Sequence, residues 1–415
     1  MAIQYEDLTT DQQAALNHIN KWCTAKRADP VLVLKGSAGS GKTTLLQIFV
    51  ARSELNILLT APTHRAVGVL ASMMPRSEAK TIHSALGLKV KRVNHEYVLS
   101  QNKKNKNKGM DGVDIVVVDE GSMLDDEMLQ FIIEDIEMSN RRYLIVGDDA
   151  QLKSISEGTS PAFNLDDFIC LYTIIRQASD SPIIKIATQF RDKILFGHPI
   201  GPLKYGSNQY GSVVRANRHE FNDLIAADFD VENDVVIGWT NKNARFYNAY
   251  INKQVCGINN GDMVVGQKIV FNEAHVEGDT VVVNNGYEDH IKSIVSGHHL
   301  KSGVDYITVR LDNQEGAFRV IQDKDRDAFE SKLSYYRDQA RREPALWRDY
   351  YGLSEMFADI RLPYSITTYK SQGSTYRNVY LDMGNIRQNR RNPDAVLRHC
   401  YVGITRASNS VIICN

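Results

Sequence analysis

An α/β fold with two parallel-sheet halves is what this sequence predicts, and three observations carry that expectation. Short apolar runs at residues 31–34, 57–59, 115–118, 143–146, 235–237, 379–381 and 411–413 alternate with helical patterns. Runs of that length, apolar on both faces, suit central strands of parallel sheets covered by helices, and their alternation with helices gives α/β layers. At 415 residues the chain has room for two to four cores rather than one. Finally, a glycine-rich turn joins the first run to the helix expected over residues 42–50.

Bulk composition narrows the class. Hydrophobic residues at 43% and charged residues at 24% are globular usage. The formal net charge of −1 means that a polyanionic partner must be held by a local basic surface. The five cysteines are scattered and form no Cys-x-x-Cys pair, which argues against a disulfide framework or a zinc site. No basic segment followed by an apolar stretch opens the chain, and no run of eighteen apolar residues occurs. A soluble, cytoplasmic setting without a membrane partner is therefore expected.

Two stretches break the α/β rhythm and read as insertions. In residues 89–111, a strand-like segment at 90–99 runs into a lysine-rich stretch; seven basic residues stand there against Glu96 up to Lys108. A solvated loop is the competing reading. Residues 257–360 open with short alternating segments at 264–271, 280–283, 306–311 and 317–321, punctuated by Asn284-Asn285-Gly286. That is the pattern of a small antiparallel barrel with hairpins. Helical stretches are expected after it, at 325–342 and 344–357.

The glycine-rich turn carries the first chemistry. Gly36-Ser37-Ala38-Gly39-Ser40-Gly41-Lys42-Thr43 fits G-x-x-x-x-G-K-[ST], after a strand and before a helix. Such a loop points backbone N–H groups and a helix N-terminus at phosphate oxygens. Lys42 is placed for the β- and γ-phosphates, Thr43 for Mg²⁺, and Thr44 follows in the cradle. Val116-Val117-Val118-Asp119-Glu120 ends a strand in two carboxylates. Asp119 suits the metal and Glu120 the attacking water; a helix cap is the bland alternative. Ile145-Val146-Gly147-Asp148-Asp149-Ala150-Gln151-Leu152 repeats the design, with Gln151 placed to sense a γ-phosphate.

The order of these motifs resembles superfamily 1 helicases of the RecD and Dda kind, across most of the chain. Leu8-Thr9-Thr10-Asp11-Gln12 is similar to the adenine-reading motif, with Gln12 in the key place. Thr60-Ala61-Pro62-Thr63-His64-Arg65-Ala66 and Thr81-Ile82-His83-Ser84 resemble motifs Ia and Ib, which touch DNA in that family. Asp119-Glu120-Gly121-Ser122-Met123 resembles motif II, with Gly121 where an apolar residue is common; looser packing is expected there. Arg176, Thr367-Thr368-Tyr369-Lys370-Ser371-Gln372-Gly373 and Tyr401-Val402-Gly403-Ile404-Thr405-Arg406-Ala407 resemble motifs IV, V and VI.

The resemblance implies two RecA-like domains, 1A at 1–88 and 112–172 and 2A at 173–256 and 361–415. A small hairpin insertion forming a pin, 1B, falls at 89–111, with Tyr97 or His95 at its tip, and an SH3-like β-barrel insertion with a helical extension, 2B, at 257–360. It implies an ATP-dependent DNA helicase, moving 5′ to 3′ on single strands and meeting duplex junctions, with ATP and Mg²⁺ as ligands. Lys42, Glu120, Gln151, Arg176 and Arg406 would carry catalysis, and Gln372 and Gly373 would join the nucleotide site. Pro62, Thr63, His64, Thr81, His83, Thr240, Asn241, Lys242, Ser365 and Thr367 would contact DNA. A monomer suffices, and replication or recombination proteins suit such a motor as partners. A phosphate-loop kinase or an ATPase without strand separation is the rival reading. It leaves residues 367–373 and 401–407 without a task. A non-catalytic DNA-binding protein is opposed by Lys42, Asp119 and Glu120.

Overall fold

The computed structural model describes residues 5–93, 96–101, 110–153, 159–175, 180–258, 262–277, 280–300 and 302–415. The chain divides into two compact units, one of residues 1–215 and 368–413, the other of residues 216–367.

The first unit is organised by a six-stranded sheet, in the order Ala79–Thr81, Ile57–Ala61, Ile115–Val118, Arg142–Gly147, Val31–Gly36, Phe168–Leu171. Every neighbouring pair is parallel. Strand side chains alternate between faces, which explains the apolar runs. Ile115, Val117, Leu144 and Val146 join the core with Leu16, Leu45, Phe49 and Leu70 on one face. Val116, Val118, Tyr143 and Ile145 join Met128 and Ile132 on the other. Both faces are covered, so the strands are apolar for most of their length; the buried Thr60 and Lys35, near strand ends, donate to Val117 O and Phe163 O. Helices Thr10–Thr24, Lys42–Arg52 and His64–Met73 supply the first layer, and Asp126–Ser139 the second. Pro182–Phe196 and Pro393–Thr405 pack on each other in the same unit.

The segment 90–99, strand-like in sequence and within the hairpin insertion that the resemblance implies, belongs to an antiparallel pair: Leu88–Val93 pairs with Glu96–Gln101. Tyr97 sits opposite Arg92 on the return strand. The alternative tip residue, His95, and the lysine-rich stretch after the hairpin lie outside the described residues.

In the second unit, Val235–Gly238 and Ser365–Thr367 pair in parallel. A five-stranded sheet runs in the order Phe318–Val320, Val304–Leu311, Glu288–His299, Lys268–Phe271, Ile360–Arg361. The N–H of Ala358 donates to Arg319 O at 2.8 Å, so the chain leading into one edge strand meets the other edge. The longest strand, Glu288–His299, was not among the expected segments: its polar residues and a bulge between Ile291 and Ser293 break the alternation. Helices Asp323–Arg342 and Trp347–Ser354 follow, anchored on Val304 and Ile321 through Phe329 and Leu353.

Candidate nucleotide site

The phosphate turn lies at the carboxyl end of Val31–Gly36, a strand with neighbours on both sides, the edge at which α/β sheets form their sites. Gly41 opens helix Lys42–Arg52 in a left-handed conformation (φ 77°), and a Cβ there would fall 2.3 Å from Gln12 Nε2. Only glycine serves at that point. Gln12 is buried; its Nε2 donates to Ser40 O (2.8 Å) and its Oε1 accepts from Thr9 N–H (2.9 Å). In this conformation Gln12 braces the loop with both ends of its amide. Ser40 Oγ donates to Ser37 O, and Lys42 Nζ donates to Gly36 O (2.8 Å) and Ser37 O (3.0 Å). Ala38, Gly39, Thr43 and Thr44 complete the turn and the first helical positions.

Beside it, Ile115–Val118 ends in Asp119 and Glu120. Burial, and then the Glu120 charge, push the Asp119 carboxyl up to about 6, against the pull of the Glu120 N–H and the Lys42 ammonium. Glu120 has φ 54° and ψ 41°, a left-handed backbone that among the described residues only Asn140 shares outside glycine. Such strain in a non-glycine residue clusters at active sites. Gly121 does not loosen the packing, contrary to expectation: a Cβ there would meet Ile145 Cγ2 at 2.5 Å and Val146 O at 3.2 Å. The turn lies so close to the next strand that no larger residue fits.

That next strand, Arg142–Gly147, ends in the loop 148–152, which helix Pro393–Thr405 holds. Tyr401 donates its hydroxyl hydrogen to Asp148 Oδ2 and accepts from Ala38 N–H at 3.4 Å. Arg398 Nη1 donates to Asp149 O (2.7 Å) and Gln151 O (3.1 Å). Gln372 Nε2 donates to Leu152 O at 2.7 Å. Arg191 pairs with Asp149 (3.2 Å) and lies 3.8 Å from Asp148. Tyr401, Arg398, Arg191 and Asp148 were given no role from sequence; their partners lie too far along the chain for any spacing to show. Gln372 and Gly373 lie in this unit, Gly373 against Thr63 and Ala66. Arg406 is buried, donating to Ser374 O (3.4 Å) and Thr405 Oγ1 (3.2 Å), and no hydrogen bond ties it to the phosphate turn. Arg176 lies outside the described residues.

Of the residues expected at DNA, Thr63, Thr81 and Thr240 each cap a helix, their hydroxyls accepting from Ala66, Ser84 and Asn243 N–H. Pro62 leads into the first of these caps. Partial burial lowers the His64 and His83 pKa values, so both imidazoles are neutral at pH 7. In the second unit Asn241 and Lys242 are exposed, while Ser365 and Thr367 are buried and Ser365 is held at both backbone groups by Asn248.

The residues fit a nucleoside triphosphate. A Cβ at Gly36 or Gly41 would strike Ser40 Oγ or Gln12 Nε2, so the turn keeps its tight path only with glycine, and Gln151 Oε1 and Gln372 Oε1 are buried without a hydrogen-bond partner. The Thr43 hydroxyl and the Asp119 carboxyl are oxygen donors of the kind a divalent cation takes. Among the described residues no cluster of three His, Cys, Asp or Glu side chains is placed to hold a metal ion.

Residues 7–193 match a family model described as an AAA domain, and residues 362–414 match one described as a UvrD-like helicase C-terminal domain. An uncharacterized protein of Acanthamoeba polyphaga mimivirus is 24% identical over 96% of this chain and 98% of its own length. The RecBCD enzyme subunit RecD of Buchnera aphidicola (subsp. Schizaphis graminum) is 27% identical over 40% of this chain, which spans 31% of that relative. The crystal structure of a Bacteroides Pif1 helicase in complex with ADP-AlF3 and single-stranded DNA superposes with a TM-score of 0.52 at 16% identity, covering 98% of this chain and 92% of that one. The shared fold is that of two RecA-like domains.

Proposed function

We infer that this chain, a superfamily 1B helicase of the RecD and Pif1 type, is an ATP-dependent DNA helicase that hydrolyses ATP to separate strands. The observation that carries the reading is the strained carboxylate pair Asp119–Glu120 next to a complete phosphate turn and its lysine. An ATP-free binding module has no use for that arrangement.

Lys42 leaves the carbonyls of Gly36 and Ser37 for the β- and γ-phosphates, while the N–H groups of the turn enclose them. Glu120 accepts a proton from the attacking water or orients it, and Gln151 reads the γ-phosphate. Thr43 and Asp119 hold Mg²⁺, which when bound offsets charge on the transferring phosphoryl group. Arg406, with Arg176, swings from its store against Ser374 to supply further positive charge; in related NTPases such an arginine is worth roughly 10³ to 10⁵ in rate. Closing and opening of the RecA-like halves over each turnover then moves a single strand, gripped by the helix ends at Thr63 and Thr240 and by Pro62, His64, Thr81, His83, Asn241 and Lys242; Ser365 and Thr367 are buried and support this surface from beneath. Contacts through hydroxyls, amides and lysine are blind to base sequence. A pin at 89–111 meets the duplex junction. Movement is 5′ to 3′. The setting is cytoplasmic; among the described residues no helix is long and apolar enough to cross a membrane.

Strand displacement on 5′-tailed and 3′-tailed duplexes with ATP tests activity and direction together. Release is expected from the 5′-tailed substrate alone and none from a Lys42→Ala variant. Hydrolysis without release on either substrate would leave an ATPase that does not separate strands.

A further inference from the structure

We propose that Tyr401 is a positioning residue for hydrolysis, its hydroxyl tying the phosphate turn to the loop that carries Gln151. The proposal rests on the ATPase reading above and adds to it a residue that touches no phosphate. Parallel pairing aligns Val31–Gly36 with Arg142–Gly147, but ladder hydrogen bonds stop where the strands stop. The turns beyond the strand ends, 37–41 and 148–152, need another device to hold their spacing.

A tyrosine hydroxyl has one hydrogen to donate and lone pairs to accept. Here it accepts from Ala38 N–H at 3.4 Å and donates to Asp148 Oδ2, so one oxygen joins the two turns. Tyr401 and Asp148 are each 1% exposed, which keeps water from substituting for either partner. Asp148 also accepts from Ala150 N–H (3.1 Å), and its backbone oxygen accepts from Gln151 N–H (3.1 Å), so the carboxylate fixes the path of the chain up to Gln151. Arg398, one helical turn before Tyr401, grips the carbonyls of Asp149 and Gln151. Burial and the adjacent Asp148 hold the Tyr401 phenol well above its usual pKa, so the donor is permanent. Helix Pro393–Thr405 ends at Arg406. A displacement of this helix therefore reaches the phosphate turn, the Gln151 loop and the arginine together.

The test uses the full chain with three variants, Tyr401→Phe, Asp148→Asn and both together, measuring kcat and KM for ATP with saturating single-stranded DNA, and the melting temperature. Tyr401→Phe is expected to lower kcat tenfold or more with KM within threefold of wild type. The double variant is expected to be no slower than the worse single one, as for two groups acting as a unit. A kcat within threefold of wild type, a KM rising as steeply as kcat falls, or losses that multiply in the double variant would overturn the proposal. Should Tyr401→Phe fail to fold, the split between kcat and KM is read from Asp148→Asn, which keeps shape and an accepting oxygen. A wild-type chain with no DNA-stimulated hydrolysis would instead refute the helicase reading, a result distinguishable from all of these.

Discussion

Two neighbouring strands of the first sheet end in acidic pairs, and the structure treats the pairs in opposite ways. Asp119–Glu120 ends Ile115–Val118 and Asp148–Asp149 follows Arg142–Gly147, strands that lie side by side. Asp148 and Asp149 are met by Tyr401, Arg191 and Arg398, so their charge and backbone are fully engaged. Asp119 is burdened by burial and by its neighbour's charge, and Glu120 is held in a costly backbone conformation. A satisfied pair holds geometry; a strained pair is kept for chemistry, because the strain is relieved only when something else arrives.

The largest expected effect that sharpens this contrast is at Glu120. Glu120→Gln keeps size and hydrogen bonding but removes the base, and kcat should fall by roughly 10² to 10⁴ while nucleotide affinity, measured by equilibrium titration, stays within a few-fold. Near-normal turnover would move the base elsewhere. Gly121→Ala comes next. The added methyl group enters the 2.5 Å gap to Ile145 Cγ2 and should cost about 1–3 kcal/mol in denaturant melts; an unchanged midpoint would mean that the turn relaxes freely.

A further effect concerns acidity and is confined to one end of the pH range. Asp119 binds its proton more tightly folded than unfolded, so its contribution to stability is greatest below the ordinary carboxylate pKa. That contribution is lost as pH rises toward about 6. Without nucleotide or Mg²⁺, Asp119→Asn should therefore raise stability at pH 7.5 by up to about 3 kcal/mol and have little effect at pH 4, while abolishing hydrolysis. Thermal melts of both proteins at the two pH values check this, and equal melting at pH 7.5 would show an Asp119 that folding leaves undisturbed.

Much of the first sheet was legible because its strands are buried on both faces, so residues 31–34, 57–59, 115–118 and 143–146 stand out without partners being known. The phosphate turn and the Asp119–Glu120 pair were legible for the same reason: they are local and follow those runs directly. Glu288–His299 was not, since one face is largely in solvent and a bulge interrupts its period. The hairpin of Leu88–Val93 and Glu96–Gln101 was legible only through the family resemblance, because residues 94 and 95, Asn and His, lack the glycine that signals a tight reversal in sequence. The roles of Tyr401, Arg398 and Arg191 depend on contacts across long stretches of chain, and a single sequence carries no sign of those distances.

Thr63 and Thr240 have a consequence for what the helix ends can tolerate. Aspartate and asparagine serve as helix caps as well as threonine does, and this chain uses them at Asp125 and Asn217. On the DNA-binding reading proposed above, an aspartate at 63 or 240 would close its helix just as well yet set a fixed anion against the nucleic-acid backbone. A neutral cap would leave the positive end of the helix uncompensated for a polyanion of any base composition, so on that reading the choice between equivalent capping residues becomes a choice of cargo.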